Sequence, residues 1–363
     1  MQETKIGYRG SKLPVLGEKE QRIDGSYYNK ILILHWLRYI LMGFEKNYQA
    51  INLSKQMNIH RTYSTQVVSS VEYHINPKFI SGFVDGEGCF IMAIYKKNKS
   101  KLGWTVQLGF VIGLHEKDKA ILEIIQRYWG VGKIYKLGQK SVQYKVQSLD
   151  ELEVIILHLN KFPLFSQKHA DFKLFEQAFK IIKNKEHLSL EGLTKLLAIR
   201  ASLNLGLSTE LKSEFAHIIP ITRPLVPQTK TFDPYWLAGF TSAEGCFLID
   251  VYKAQTKLGE AVKLVFQLTQ HSRDEELMNK LVEYFGCGSV HINDNILNYR
   301  VKKFSDLTDK IIPIFQKYPI LGVKAQDYKD FCEVANIMKE KGHLTIEGLN
   351  QIKKIKAGMN KGR

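Results

Sequence analysis

Cysteine is scarce in this 363-residue chain, and its few positions exclude two classes of protein. The four cysteines are Cys89, Cys246, Cys287 and Cys332. They form no CxxC pair and no cluster with metal-ligand spacing, so neither a zinc site nor a disulfide framework is expected. We interpret them as reduced intracellular thiols.

Long apolar runs and acidic residues are also in short supply. The longest apolar run, Ile31 to Phe44, is interrupted by His35 and Arg38 and is too short to span a bilayer. Lys and Arg number 52 against 36 Asp and Glu, which leaves a formal charge of +16. Such an excess is typical of proteins that neutralise nucleic-acid phosphates. Because no membrane span is expected, a nucleic acid is the favoured partner over an anionic membrane.

The chain does contain two copies of one unusual peptide. FISGFVDGEGCF occupies Phe79 to Phe90, and WLAGFTSAEGCF occupies Trp236 to Phe247. Each predicts a short helix that ends at an acid, Glu87 or Glu244, followed by glycine. An acid at the negative end of a helix costs a few tenths to about 1 kcal/mol, whereas a cation there would be stabilised. The pattern therefore predicts a metal site shared between the two copies.

Small residues are spaced four apart in both helices. Gly82 and Gly86 have Gly239 and Ala243 as their counterparts, so one stripe of each helix has almost no side chain. A stripe of this kind lets a second backbone approach closely. The ordinary interpretation, two tightly packed core helices with surface glutamates, is weakened by the recurrence of the whole peptide.

The duplication extends far beyond these peptides. Glu87 and Glu244 differ by 157 positions, whereas FVIGLHEKD at 110–118 and FQLTQHSRD at 266–274 differ by 156. HLSLEGL at 187–193 matches HLTIEGL at 343–349 with the same offset of 156. A unit of this length is a domain-sized repeat, longer than any solenoid period. We therefore expect two tandem domains with pseudo-two-fold symmetry.

The expected domain boundaries follow from the repeat. Residues 1–76 have no counterpart in it and are predicted to be a poorly ordered leader with one short apolar helix. The first repeat spans 77–206 and the second 232–363. Between them, residues 207–231 are predicted to be a linker because prolines such as Pro220, Pro224 and Pro227 cannot continue a helix.

Each repeat shows the order helix, two strands, helix, two strands, helix. Alternation places apolar residues on one face of the second strand of each repeat; these residues are Val106, Leu108, Phe110 and Ile112, and Val262, Leu264, Phe266 and Leu268. The opposite face is mixed or polar. Taken alone, that face is most simply a solvated sheet surface.

The two peptides, with nearly everything from Pro77 onward, resemble the single-chain, two-motif LAGLIDADG homing endonucleases of fungal mitochondrial introns. FVDGEG and FTSAEG stand where that family has its LIDADG segment. The resemblance implies an α+β fold of two αββαββα repeats, with curved antiparallel sheets forming a DNA-binding saddle and the two motif helices packed at the interface. It further implies a monomer that cuts double-stranded DNA at specific sites.

The resemblance assigns the outward sheet residues to DNA. A major groove presents base edges that amide and guanidinium groups can read. The residues implied are Cys89, Ile91, Ala93, Tyr95, Lys97, Thr105, Gln107, Val111, Gln143, Lys145, Cys246, Leu248, Asp250, Tyr252, Ala261, Lys263, Gln267, Asn298, Arg300 and Lys302.

The resemblance also assigns the chemistry. Glu87 and Glu244 would bind divalent metal, with the carbonyl groups of Gly86 and Ala243 as further ligands. Oxygen-only ligands favour Mg²⁺, and Mn²⁺ or Ca²⁺ would occupy the same site. The family has one basic residue per half near the cleaved phosphates. Lys168 and Lys324, which lie 81 and 80 positions beyond the two glutamates, are the candidates and would stabilise transition-state charge.

Two departures from the family pattern affect the interpretation. Asp85 in the first motif is replaced by Ser242 in the second. If Glu87 and Glu244 are the essential acids, Asp85 is interpreted as a capping or supporting residue; were Asp85 itself the ligand, the site would be asymmetric and would only nick DNA. Val111 in the first repeat has Gln267 as its counterpart in the second repeat, so the two halves should read different bases. We therefore expect a target that is only loosely palindromic.

Two alternative functions remain open. A group I intron maturase would use the basic surface for its host intron RNA, alone or beside DNA cleavage. A DNA-binding relic without cleavage is disfavoured because both glutamates and both lysines are retained. The expected location is the mitochondrion. Glu3, Glu18 and Glu20 make the first residues a poor transit peptide, and a protein encoded in a mitochondrial intron needs none.

Overall fold

A computed structural model describes residues 75–227 and 231–360. The leader predicted over residues 1–76, with its short apolar helix at 31–44, lies outside the described residues except for its last two positions. The described residues belong to one compact unit. Among them, no helix is both long and apolar enough to cross a membrane.

Both repeats contain a four-stranded antiparallel sheet built in the same order. In the first repeat the elements, in chain order, are α1 (Pro77–Glu87), β1 (Gly88–Lys96), β2 (Trp104–His115), α2 (Lys119–Trp129), β3 (Lys133–Leu137), β4 (Ser141–Val146), α3 (Leu149–Lys161), α4 (Lys168–Lys183) and α5 (Leu190–Ser202). A short helix, α6 (Thr209–Glu214), follows the repeat. The strands are ordered β1-β2-β4-β3.

The second repeat follows the same plan. Its elements are α7 (Pro234–Glu244), β5 (Gly245–Lys253), β6 (Glu260–His271), α8 (Glu275–Phe285), β7 (Ser289–Asn293), β8 (Ile296–Val301), α9 (Phe304–Asp306), a π-helical turn (Leu307–Ile311), α10 (Ile312–Lys317), α11 (Val323–Lys339) and α12 (Ile346–Ala357). Its strands are ordered β5-β6-β8-β7. The predicted α+β fold is confirmed, although further helices follow the single closing helix that the sequence pattern predicted in each repeat.

Each motif helix starts at a local capping signal. Asn76 accepts the N–H of Lys78 at 2.9 Å, and Asp233 accepts the N–H of Tyr235 at 2.9 Å. The residue after each cap is a proline, whose fixed φ suits the first helical turn. The Lys78 ammonium also donates to Asp233 at 2.6 Å, so the starts of α1 and α7 are joined.

The glycine that follows each motif helix does not have the backbone geometry expected of a helix stop. Gly88 and Gly245 have extended backbones with φ near −70° and −75°, not left-handed ones. A Cβ on Gly88 would lie 2.6 Å from the Val84 side chain, and one on Gly245 would lie 2.5 Å from Thr241. The glycines therefore let the chain turn directly from helix into strand against its own last helical turn.

The core of each repeat lies between the apolar sheet face and the helices. In each repeat, the phenylalanine that ends the motif packs in this core. The ring of Phe90 lies 5.4 Å from that of Phe110, and Phe247 lies 5.3 Å from Phe266. Burying such a ring stabilises the fold by about 1.5–3 kcal/mol.

Candidate active site

The motif helices α1 and α7 pack with their backbones in direct contact. A Cβ on Gly82 would lie 1.9 Å from the Trp236 carbonyl oxygen, and one on Gly239 would lie 2.0 Å from that of Phe79. Near the C-terminal ends, Gly86 faces the Cβ of Ala243 in the same way. The bare stripes therefore form the interface between the repeats, with both helices ending on the same side.

This packing brings the two glutamates together. A Cβ on Gly86 would lie 3.2 Å from Cγ of Glu244, so the second acid lies over the residue before Glu87. Burial raises the pKa of the Glu87 carboxyl. Burial and the Glu87 charge raise the pKa of Glu244 to about 7. The site thus disfavours two carboxylate charges, although Lys168 and Lys324 act in the opposite direction.

Lys168 and Lys324 reach the ends of the same helices. Lys168 is the first residue of α4, and its ammonium donates to the carbonyl oxygens of Gly86 and, at 3.4 Å, Val84. The Lys324 ammonium donates to the Ala243 carbonyl oxygen. Each ammonium group therefore lies at the negative end of a motif helix, where a cation is stabilised.

The carbonyl groups that the sequence assigned to the metal are the ones that these lysines contact. A carbonyl oxygen has two lone pairs, so a hydrogen bond from lysine leaves one for a further ligand. The Gly86 and Ala243 carbonyls thus lie beside both the acids and the ammonium groups.

Asp85 does not point into this site. Its carboxylate is buried and accepts hydrogen bonds from the Phe165 and Ser166 N–H groups at 2.9 and 3.0 Å. It also accepts the indole N–H of Trp236 at 2.8 Å. Burial raises the pKa of Asp85 to about 6, against the effect of these donors. In the second repeat, Ser242 accepts only the Leu321 N–H, at 3.0 Å.

The outward sheet positions differ in exposure. Asp250, Tyr252, Lys97 and Lys302 are exposed. Partly exposed positions are Cys89, Ile91, Ala93, Tyr95, Thr105, Gln107, Gln143, Lys145, Cys246, Leu248, Ala261, Lys263, Gln267 and Arg300. Val111 is fully buried and offers no surface, contrary to its place in the expected interface. Asn298 is 4% exposed, with its side chain held by Gln267 and Thr269.

One row across the second sheet is polar and internally hydrogen-bonded. Cys246 pairs with Gln267, which pairs with Arg300. Arg300 Nε donates to Gln267 Oε1 at 2.6 Å. The matching row of the first sheet is Cys89, Val111 and Lys145, with an aliphatic residue at its centre. The two sheets therefore present different chemistry two residues beyond each glutamate.

Two aspartates near the lysines were missed by sequence reasoning. Asp118 Oδ1 accepts the Val323 N–H at 2.7 Å, and Asp274 Oδ1 accepts the Gln167 N–H at 2.6 Å. Both bonds join one repeat to the other. The available signal was the recurrence of aspartate at the end of HEKD and HSRD.

The contact between α1 and α7, which we call the seam, carries a donor set that is suited to a hard divalent cation. It consists of two carboxylates and helix-end carbonyl oxygens. In the described part of the chain, no group of three or more His, Cys, Asp or Glu residues has metal-binding geometry. In proteins, Mg²⁺ is commonly bound by one or two carboxylates, and substrate phosphates and water complete its coordination. A site with two acids therefore suits Mg²⁺ better than it suits an ion whose ligands all come from the protein.

Comparison with known proteins identifies the family. The family model for the LAGLIDADG endonuclease matches the chain twice, over residues 80–179 and 237–335. The two matches contain most of each motif helix, with Glu87 and Glu244, and also contain Lys168 and Lys324. The chain therefore belongs to the LAGLIDADG endonuclease family.

Particular relatives agree with this assignment. The chain is 40% identical over 375 residues to the probable intron-encoded endonuclease 3 of Neurospora crassa, covering 97% of this chain and 69% of that protein. It is similar to I-SmaMI bound to an uncleaved DNA target with calcium, with a TM-score of 0.78, 40% identity, and coverage of 79% and 99%. It is also similar to I-AabMI bound to uncleaved DNA, with a TM-score of 0.74, 51% identity, and coverage of 79% and 100%.

Proposed function

We propose that this protein is a monomeric, site-specific double-strand DNA endonuclease. The observation that carries the proposal is the seam, where α1 and α7 bring Glu87 and Glu244 to one point beside two lysines. A single chain thereby supplies one acid and one ammonium group for each strand of a duplex. Two similar sheets, one in each repeat, supply a separate reading surface for each half of a target.

Divalent metal is the cofactor in this proposal, with Glu87 and Glu244 as its protein ligands and the Gly86 and Ala243 carbonyls as further donors. When bound, Mg²⁺ would polarise the scissile phosphate and lower the pKa of water. The raised pKa of Glu244 supports this role, because a cation stabilises the ionised pair. The calcium present in the I-SmaMI complex is consistent with the same class of ion.

Lys168 and Lys324 act on the phosphate in this mechanism. Each ammonium group lies next to a glutamate and is held by carbonyl oxygens at the end of a motif helix. From there it can stabilise negative charge that develops on the phosphate oxygens or orient the attacking water. Because the carbonyl groups hold the ammonium in place, little reorganisation is needed during the reaction.

The sheet faces read the target. We assign DNA contact to the outward residues that have accessible surface, which excludes Val111 and the buried Asn298. The Gln267 and Arg300 pair can read base edges in one half-site. The first repeat has no equivalent pair, so the bases preferred by the two halves differ. The net charge of +16 supports phosphate contacts around these base contacts.

We also propose the domain division and the location. The first repeat is assigned to 77–206, the second to 232–363, and the segment 207–231 joins them. The mitochondrion is the proposed compartment, by analogy with intron-encoded relatives. The leader is assigned no chemical role.

The decisive experiment compares the Glu87→Gln, Glu244→Gln double variant with the wild type. Sites cut by the wild type in Mg²⁺ would first be selected from a randomised duplex library. We expect the double variant to bind the selected site but to lose cleavage. Glu191→Gln combined with Glu347→Gln is the matched control, because these exposed acids occupy equivalent positions far from the seam in sequence. Cleavage by the Glu87/Glu244 double variant in Mg²⁺ would refute the assignment.

The same variants separate cleavage from RNA splicing. No feature of the described residues specifically favours the maturase alternative. If intron splicing depends on the protein, help that persists in the Glu87→Gln, Glu244→Gln variant would demonstrate a second activity independent of the seam.

A further inference from the structure

An aspartate follows the long second strand of each sheet and contacts the opposite repeat. β2 ends at His115 and leads into a short 3₁₀ turn that ends at Asp118. β6 ends at His271 and leads in the same way to Asp274. Asp118 and Asp274 each accept a backbone N–H from the other repeat, as described above. The two contacts form a reciprocal pair related by the pseudo-symmetry.

The backbone groups that these aspartates bind immediately precede the active-site lysines. Asp274 binds the N–H of Gln167, and the next residue is Lys168. Asp118 binds the N–H of Val323, and the next residue is Lys324. The N-cap residues Gln167 and Gly322 make no side-chain cap of their own, although Ser166 Oγ accepts the Lys168 N–H at 3.2 Å. The opposite repeat therefore supplies the side-chain acceptor for the Gln167 and Val323 N–H groups at the two helix starts.

The local sequence accommodates this arrangement. At Gly322, a Cβ would lie 2.4 Å from Asp118 Oδ1 and 2.6 Å from the Ile121 side chain. The absence of a side chain there leaves room for the carboxylate. Asp274 is only 4% exposed, so its bond to Gln167 is shielded from water. A charge-assisted bond in such surroundings is among the stronger hydrogen bonds in a protein.

We propose that Asp118 and Asp274 are positioning residues that couple each DNA-reading sheet to the lysine of the opposite repeat. The connection from the first sheet runs through Asp118 to Val323 and Lys324, and so to the Ala243 carbonyl beside Glu244. The second sheet is connected through Asp274 to Lys168. Docking of one sheet on its half-site thereby supports cleavage chemistry in the other half. This inference rests on the proposed endonuclease function.

The test measures the cleavage rate of each strand separately, under single-turnover conditions, on a duplex labelled on both strands. Lys168→Met and Lys324→Met first define which strand depends on which lysine. We expect Asp274→Ala to slow the Lys168-dependent strand on the order of 10- to 100-fold more than the other, because small misplacements of catalytic groups have effects of this size. Asp118→Ala should act in the same way on the Lys324-dependent strand. Loss of fold stability alone would slow both strands equally.

Two further variants complete the comparison, one conservative and one a control. Asp274→Asn retains an acceptor oxygen without the charge, so we expect it to slow cleavage of the Lys168-dependent strand about threefold more than cleavage of the other strand. If Asp274→Ala does not fold, this variant carries the test. Asp150→Ala removes an exposed acid from the first turn of α3 and should leave the strand ratio unchanged.

The inference is overturned if the aspartate variants leave the strand ratio unchanged, slow both strands alike, or affect the strand of the lysine in their own repeat. It is also overturned if neither lysine variant shows a strand preference. Failure of the proposed function would appear differently, as absence of wild-type cleavage or as cleavage by the Glu87→Gln, Glu244→Gln variant.

Discussion

The Asp85 carboxylate accepts the indole N–H of Trp236 at 2.8 Å and thereby joins the first motif helix to the second. The same carboxylate binds the loop that leads to Lys168, through the N–H groups of Phe165 and Ser166. One buried acid therefore orients a motif helix, its partner helix and a lysine loop together. Ser242, its counterpart, performs only part of this role.

Asp85→Ala should destabilise the protein far more than Ser242→Ala. The aspartate variant leaves several buried donors without an acceptor, which costs about 3–5 kcal/mol. The serine variant removes one acceptor and should cost about 1 kcal/mol. Urea unfolding of both variants provides the measurement, and Asp85→Asn, which keeps one acceptor oxygen, should fall between them. Equal losses would show that Asp85 is not a structural centre of the seam.

The bare stripe at the seam should not tolerate a single methyl group. In Gly82→Ala or Gly239→Ala, the new Cβ would have to displace a carbonyl oxygen of the partner helix, because it would start about 2 Å away. We expect a loss of more than about 3 kcal/mol in the free energy of unfolding, with loss of cleavage.

Gly109→Ala is the control for the seam variants. Its Cβ would meet its nearest neighbour, the Val146 carbonyl oxygen, at an ordinary 3.5 Å. We expect its stability to stay within about 1 kcal/mol of the wild type. If Gly82→Ala unfolded no more easily than this control, the two helices would not pack as described.

Glu244→Gln should stabilise the metal-free protein in a pH-dependent way. The folded-state pKa of about 7 exceeds the ordinary value of 4.5, so the folded protein binds this proton more tightly than the unfolded chain does. Ionisation therefore lowers wild-type stability as pH rises through this interval. The variant lacks that penalty and should be equally stable below pH 4.5 but more stable above pH 7, by at most about 3 kcal/mol.

Chemical unfolding in a chelator at pH 4.5 and pH 8 measures this difference. Added Mg²⁺ should stabilise the wild type and have little effect on the variant. Glu191→Gln, which removes an exposed acid outside the seam, should show no such pH dependence. A stabilisation of equal size at both pH values would contradict the electrostatic explanation.

Arg300→Ala should relax base preference in only one half of the target. Arg300 is held by Gln267, and this pre-ordered pair is suited to base-edge recognition. We expect a loss of about 1–3 kcal/mol in discrimination at one or two base pairs. Competition binding against targets randomised in each half measures it. Lys310→Ala, which removes an ammonium bound to the Gly286 carbonyl, is the control, and equal relaxation in both halves would refute the assignment.

The repeated motif carried enough information for the fold and the glutamate pair. Glycine spacing in α1 and α7 predicted a close helix contact, because a helix face without side chains lets a second backbone approach closely. The recurrence of Lys168 and Lys324 identified them as candidates, since a lysine after a turn is uninformative when it occurs once.

Other features could not be read from local patterns. Alternation placed Val111 in one row with Cys89 and Lys145, but it could not reveal that the Val111 side chain is fully buried there. The exposure of a residue depends on what packs above it, and that information is spread over distant parts of the chain. Asp118 and Asp274 looked like ordinary turn residues for the same reason, because their partners are about 205 and 107 positions away.

The amino-acid sequence by itself determined the duplication, the two acid-ended helices and the alternation of the strands, because these depend on short-range spacing and backbone geometry. Tertiary structure alone decided which carbonyl groups the lysines contact and which repeat supplies the acceptor beside each lysine. Those relationships depend on how two similar halves pack against each other, and close backbone packing at the glycine seam sets their distances.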